Sequence, residues 1–165
     1  MMSKNDLVFQ PIGRVQSPFK DLQGMPIQPS GGSGIRGKII LSPELIDGLV
    51  DLDGFSHLIL IYYFHQAEGY KLQVKPFLDV EEHGVFATRA PRRPNRIGIS
   101  VVKLLGIQAN VLEIENLDIL DGTPVLDIKP YVPDFESVEN LRLGWLTGKL
   151  GELEGTRSDE RFVKD

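Results

Sequence analysis

Four arginines and two prolines fall within the stretch RAPRRPNRIGIS, from Arg89 to Ser100. The guanidinium groups of Arg89, Arg92, Arg93 and Arg96 are planar donor forks suited to carboxylates, phosphates and nucleobase edges. Pro91 and Pro94 fix φ and bias the residues before them toward extended backbone, so such a loop loses little entropy on ordering. The spacing predicts a rigid cationic recognition loop set on a scaffold. A solvated surface turn is the plainer alternative.

Other residues of the right type are scattered along the chain. His57 and His65 fall on one face of a single apolar run, but eight residues at about 3.3 Å each separate them by roughly 26 Å, too far to share a metal. His65 ends that run beside Gln66, where a strand tip presents polar groups to a ligand; His83, in EEHG, reads as solvated. LDILDGTPVLDIKPY alternates apolar residues with Asp118, Asp121 and Asp127. Two carboxylates three residues apart could form a hydrolytic pair, yet Asp121-Gly122-Thr123-Pro124 reads as a turn whose amides and carbonyls can hold a polar small molecule. A metal hydrolase lacks the adjacent histidine cluster it would need. Gly32, Gly34 and Gly37 have dinucleotide-loop spacing, but a strand follows them where a helix should open, so they read as flexible or close-approach glycines.

The elements that must carry these groups are mainly strands. Segments 8–17, 34–41, 55–66, 85–88, 98–108, 111–117 and 124–132 are rich in β-branched and aromatic residues or alternate in polarity, with Ala109-Asn110 as a tight turn. Ser42-Pro43-Glu44 opens a short helix, as an N-cap followed by proline at the first helical position. The proline- and glycine-rich stretch between the first two strands is a long loop of the kind that is functional or disordered. Links too short for helical crossovers predict a mainly β, single-domain antiparallel β-barrel with long loops and a few short helices. Trp145 is expected to anchor the C-terminal stretch, with a tail from about 150 to 165 whose last charged residues are mobile.

With 165 residues, 41% of them hydrophobic and 25% charged, the chain suits one domain, 1–165, with a real core. It has no cysteine, which excludes disulfides, thiolate metal sites and a cysteine nucleophile. No apolar run approaches a membrane span and the N-terminus lacks the pattern of a secretory signal, so the expected compartment is the cytoplasm. A net charge of −5 argues against a generic nucleic-acid coat but leaves room for a local basic groove.

Four phrases in order, IGRVQSPF, DLDGFSHLILIYYFH, GVFATRAPRRPNRIGIS and LDILDGTPVLDIKPYVP, resemble the TsaA/TrmO-like (YaeB-like) family of β-barrel, S-adenosylmethionine-dependent tRNA methyltransferases. The resemblance spans about Ile12 to Pro133. It implies methylation of the exocyclic nitrogen of N6-threonylcarbamoyladenosine beside the anticodon, with the methyl donor near a homodimer interface and no metal. By motif match, S-adenosylmethionine would be lined by Gln28, Pro29, Ser30, His65, Gln66, Arg89, Ile99 and the turn Asp121, Gly122, Thr123 and Pro124. Arg92, Arg93, Asn95 and Arg96 would be free to face tRNA or the modified base, joined by Lys129 and Tyr131. At Arg96 the chain departs from the family, which usually has proline there.

Methyl transfer from a sulfonium needs in-line placement more than a nucleophilic side chain, and alignment supplies on the order of 7 to 11 kcal/mol at best. The acceptor nitrogen is conjugated and must lose its proton, so His65, Asp118 and Asp127 are the candidate bases. The threonyl carboxylate offers an anchor for Arg92 or Arg93. The alternative is a non-catalytic RNA-binding or S-adenosylmethionine-sensing barrel that uses the same arginine loop.

Overall fold

The structure is a computed structural model that describes residues 7–27, 29–152 and 155–159. In chain order its strands are β1 (Gly13–Gln16), β2 (Arg36–Leu41), β3 (His57–Tyr63), β4 (Gln73–Val74), β5 (His83–Gly84), β6 (Ile97–Gln108), β7 (Val111–Glu115) and β8 (Pro124–Pro130). Six of them close into an antiparallel barrel in the order β1-β2-β7-β6-β3-β8, with β8 returning to β1. Closure leaves no open edge, which disposes of the unpaired backbone that an isolated sheet of these strands would expose. The expected mainly β barrel with few short helices is the fold found.

Alternation drives it. In β6 burial switches residue by residue from Gly98 to Leu104, sending Ser100, Val102 and Leu104 inward. Ile39, Leu58, Leu60, Leu112, Ile114, Leu117 and Val125 meet these side chains with no solvent exposure. In β3 Leu58, Leu60 and Tyr62 point inward; on the outer face Ile61 and Tyr63 are only half buried, while Ile59 is covered as well. At the tight turn Gln108 pairs with Val111, and Ala109 takes a φ of 51°.

Register sorts the loops onto two rims. Gln16 faces Lys38, Arg36 faces Glu115, and Tyr63 faces Ile97. One rim therefore collects the loops 17–35, 64–96 and 116–123. The other collects the β6–β7 turn, the segment 42–56 and the end of β8, where the Tyr131 amide donates to the His57 carbonyl at 3.0 Å.

Several expectations change. Of the segment 8–17 only Gly13–Gln16 is strand, and Val85–Ala87, expected as β, is a 3-10 turn closed by the Thr88 amide on the Val85 carbonyl. The short helix at 43–49 is also 3-10, and the Ser42 side chain makes no capping bond to it. His83 is not solvated: it stacks on Trp145 with ring centroids 4.5 Å apart and binds Asp79 at 3.1 Å. Trp145 anchors its segment, its indole N–H donating to the Ala87 carbonyl at 2.8 Å. Part of the expected mobile tail is docked, with Arg157 bridging to Pro26; residues 160–165 lie outside the described set. No helix among the described residues is long and apolar enough to cross a membrane.

Candidate functional site

The rim of loops surrounds a buried polar chain. Ser100, inward on β6, donates through Oγ to Asp118 Oδ1 at 2.8 Å. Its single proton is thereby committed, so the Tyr62 hydroxyl, 3.1 Å away, is the donor to Ser100 Oγ. Tyr62 is 6% exposed, and burial, then the Asp118 charge, push its phenol above the ordinary range, so it stays a proton donor. Burial likewise raises Asp118 to about 6, against the smaller opposing effects of the Ser100 bond and the Arg89 charge. A carboxylate at that value is ionised at neutral pH yet basic enough to take a proton.

Close approach of β6 fixes this chain. A Cβ at Gly98 would stand 2.4 Å from the Tyr62 ring and 2.9 Å from Phe64, which packs edge-on against Tyr62. Gly98→Ala is therefore expected to cost about 1–3 kcal/mol and to swing the phenol off Ser100, read as a lower unfolding temperature and a shifted tyrosine absorbance. On the other side Gly32 lies where a Cβ would be 2.3 Å from the Leu117 carbonyl oxygen. This bears out close approach as the meaning of that glycine, and it sets the 3-10 turn Pro29–Gly32 beside Asp118 and against β6.

The turn 121–124 is held from the barrel side. Asp121 Oδ1 accepts from the Ser17 amide at 2.8 Å and Oδ2 pairs with Lys20 at 2.6 Å; the Lys20 bond is the main cause of a carboxyl held below its ordinary value. The amides of Asp121, Gly122 and Thr123 bond the carbonyls of Phe19, Val15 and Leu120. They are thus occupied, and the carbonyls of Gly122 and Thr123 already accept from the Arg14 side chain and the Val15 amide, so the turn offers a ligand its shape and not the free amides its sequence suggests. Thr123, 3% exposed, reaches His65 Nδ1 at 3.4 Å. Burial and then the Arg14 charge lower the His65 pKa, so its ring is neutral at pH 7.

The arginine loop divides. Arg89 is exposed and its charge acts on both Asp118 and Tyr62, which places it at the mouth of the site. The other three turn inward. Arg92, 8% exposed, donates to the Glu68 carbonyl at 3.1 Å, and Arg93 donates to the carbonyls of Thr88 and Ala90. Arg96 donates to the Ala67 carbonyl and lies over the Tyr63 ring at 5.0 Å. Its amide also donates to the Arg93 carbonyl at 3.2 Å, a bond that the usual proline could not make. These side chains, expected to be free for tRNA, bind local backbone: Arg92 and Arg96 serve carbonyls of the 64–68 tip, and Arg93 those of its own loop, none of which strand pairing satisfies. Asn95 is exposed.

The structure brings together His65, Arg89, Asp118, the turn 121–124 and the 29–32 turn; Gln66 is exposed beside His65, and Ile99, next to Ser100, is exposed on the outer face of β6. Gln28 lies outside the described residues. Lys129 and Tyr131 are not part of the group: they sit toward the opposite rim, beside Ile59 and His57, roughly 13 and 20 Å along β3 from its site end. Asp127 pairs with Lys129 at 2.7 Å and accepts from the Ile128 amide, on the stretch of β8 leading to that rim. No group of three or more histidine or acidic side chains able to hold a metal occurs among the described residues. Tyr62 and Ser100 were missed from the sequence. The signal was a serine at an inward position of an otherwise apolar stripe.

The donor set suits a charged amino-acid cofactor. Arg89 offers a fork for a carboxylate, and Gly32 lets backbone approach where any side chain would intrude.

Comparison with known proteins agrees. The model of the tRNA-methyltransferase O N-terminal domain matches residues 14–137. A probable S-adenosyl-L-methionine-binding protein of Pyrococcus abyssi is 53% identical over 156 residues, covering 94% of this chain and 85% of the relative. The mouse tRNA (adenine(37)-N6)-methyltransferase is 39% identical over 149 residues, 85% of this chain but 34% of that protein. The crystal structure of TrmO from Pseudomonas aeruginosa superposes with a TM-score of 0.71 at 41% identity, covering 85% of this chain and 62% of that one. The chain thus spans most of its archaeal relative and a smaller share of the mouse and Pseudomonas proteins. On the match over 14–137 and the barrel it shares with a solved member, this chain belongs to the tRNA-methyltransferase O family.

Proposed function

We propose that this chain is an S-adenosylmethionine-dependent tRNA adenine-N6 methyltransferase whose substrate is N6-threonylcarbamoyladenosine next to the anticodon. The activity follows from the family and from relatives named as tRNA (adenine(37)-N6)-methyltransferases and S-adenosyl-L-methionine-binding proteins. The observation that carries a chemical role for this site is the buried Tyr62–Ser100–Asp118 chain opening toward Arg89.

S-adenosylmethionine would be held by Arg89, His65, Gln66, Ile99, the turn 121–124 and residues 28–30, and it supplies an electrophilic methyl group. The protein's own task is to place the acceptor nitrogen and remove its proton. Asp118 is the base: burial keeps its pKa close to working pH, Ser100 donates to its Oδ1, and Tyr62 holds Ser100 in that orientation. Neutral His65 orients the substrate edge from beside Thr123. Asp127 has no part in this scheme, because it is engaged with Lys129 away from the group. The exposed Asn95, with Arg89, faces the tRNA side. Leu72, Val80 and Phe86 stand exposed on the 64–96 loop and are the apolar surface a homodimer would cover.

The test is titration with S-adenosylmethionine, then methylation of matched tRNAs with and without the threonylcarbamoyl group. About one site per chain and methyl transfer to the modified tRNA alone are expected. Transfer to unmodified adenosine would remove the threonylcarbamoyl substrate. Salt-sensitive RNA binding with no response to the methyl donor would favour the binding module instead.

A further inference from the structure

β8 ends at Pro130 on the rim opposite the site, and α1 (Pro133–Glu136) follows there. The chain nevertheless comes back. At Trp145 it reaches the loop 64–96, where the indole stacks on His83 and donates to the Ala87 carbonyl, two residues before Arg89. Lys149 pairs with Asp79 in the same loop and lies 5.7 Å from the Trp145 ring centroid. At Ser158 it reaches the other site loop, 17–35. The Ser158 amide donates to the Met25 carbonyl at 2.8 Å, and its carbonyl accepts from the Gly24 amide at 2.9 Å. Its hydroxyl accepts from the Met25 amide at 3.0 Å and donates to the Leu22 carbonyl.

One serine thus spends every polar group it has on three residues just ahead of the 28–32 stretch. Loops without strand partners fluctuate unless something ties them, and in 22–26 the burial of Met25 and Pro26 goes together with these bonds to Ser158. We propose that residues 144–151 and 155–158 act as a strap that positions the two loops framing the cofactor, with Ser158 as the positioning residue for 22–32 and Trp145 for 79–89. The idea rests on the cofactor reading given above. A pocket assembled only part of the time binds in proportion to its assembled fraction, so loosening either tie weakens affinity without removing any ligand contact.

The experiment uses the full chain with Ser158→Ala, Ser158→Thr and Trp145→Ala. It combines titration with S-adenosylmethionine, thermal unfolding and amide hydrogen exchange. Ser158→Ala is expected to raise exchange at 22–32, and Trp145→Ala at 79–89. Each should weaken S-adenosylmethionine about tenfold while the barrel strands keep their protection. Ser158→Thr, which keeps the hydroxyl, should restore affinity. Wild-type affinity in both alanine variants, with the loops loosened, would overturn the strap while leaving the cofactor reading intact. A wild-type protein that fails to bind S-adenosylmethionine would overturn both.

Discussion

Asp118→Asn should slow tRNA methylation by about 10²–10⁴-fold while making the protein harder to unfold at pH 8. The two effects have one cause. Burial raises the Asp118 carboxyl from 3.8 to about 6, so folding favours its protonated form. The stability tied to that proton is present below about pH 4 and is lost as pH rises through about 6. A shift of that size corresponds to about 3 kcal/mol above pH 6, which an amide does not give up because it never ionises. Asparagine can still accept from Ser100 through its carbonyl oxygen, so the neutral hydrogen bond survives. Rate runs the other way: as a base, Asp118 works only when ionised, so kcat/KM for the wild type should fall as pH drops through about 6. Unfolding curves at pH 5 and 8, with rate profiles over the same range, check both. If the variant were stabilised yet fully active, Asp118 would be a structural carboxylate and the proton would have to leave through His65.

Most of the barrel was legible because inward apolar residues in a closed sheet must alternate, and β2, β3, β6, β7 and β8 each carry that alternation or its β-branched equivalent. Val85–Ala87 was not, since VFAT reads as strand while the backbone folds into a 3-10 turn with only Val85 buried. Propensity sees the side chains and not the tertiary setting that wins. The site shows the same division. His65, Arg89 and Asp118 were visible as residue types at strand ends, and the structure gathers them. Lys129 and Tyr131 were expected to face the substrate together with Arg92, Arg93, Asn95 and Arg96. Four to six residues of extended strand span roughly 13 to 20 Å, however, and antiparallel register carries them toward the far rim. Tyr62 and Ser100 were invisible for the converse reason: distant in sequence, they meet only because β3 and β6 are neighbours, where Gly98 admits the ring. The docking of Ser158 on Met25 is of that kind too, set by a return of the chain that no local pattern encodes.

Arginines in one cationic stretch look interchangeable, but their surroundings predict opposite phenotypes. Arg89→Ala should weaken S-adenosylmethionine by about ten- to a hundredfold, the effect of losing hydrogen bonds from a guanidinium to a charged group. Arg89 is exposed on its loop, so unfolding temperature should fall less than on loss of a buried arginine. Arg92→Ala should do the reverse. The Glu68 carbonyl loses its guanidinium donor, the buried Arg92 side chain leaves a gap, and the Lys71 amide loses a firm seat on the residue-92 carbonyl, at a cost of about 1–3 kcal/mol in stability. Arg92→Lys should recover only part of it, since an ammonium lacks the planar fork that meets the carbonyl through Nε. Arg93, bonded to Thr88 and Ala90, should behave like Arg92 and alter tRNA binding only through the shape of the loop. The measurements are titration with S-adenosylmethionine, thermal unfolding and tRNA affinity across a salt series. If Arg92→Ala or Arg93→Ala flattened the salt slope of tRNA binding by about one unit while stability held, that side chain would be a phosphate contact after all. The inward hydrogen bonds would then be the resting state of a group that swings out to meet RNA. If the slope stays put, the cationic loop acts through one exposed arginine, and the rest of its charge serves to build the wall that holds His65 and Gln66 in place.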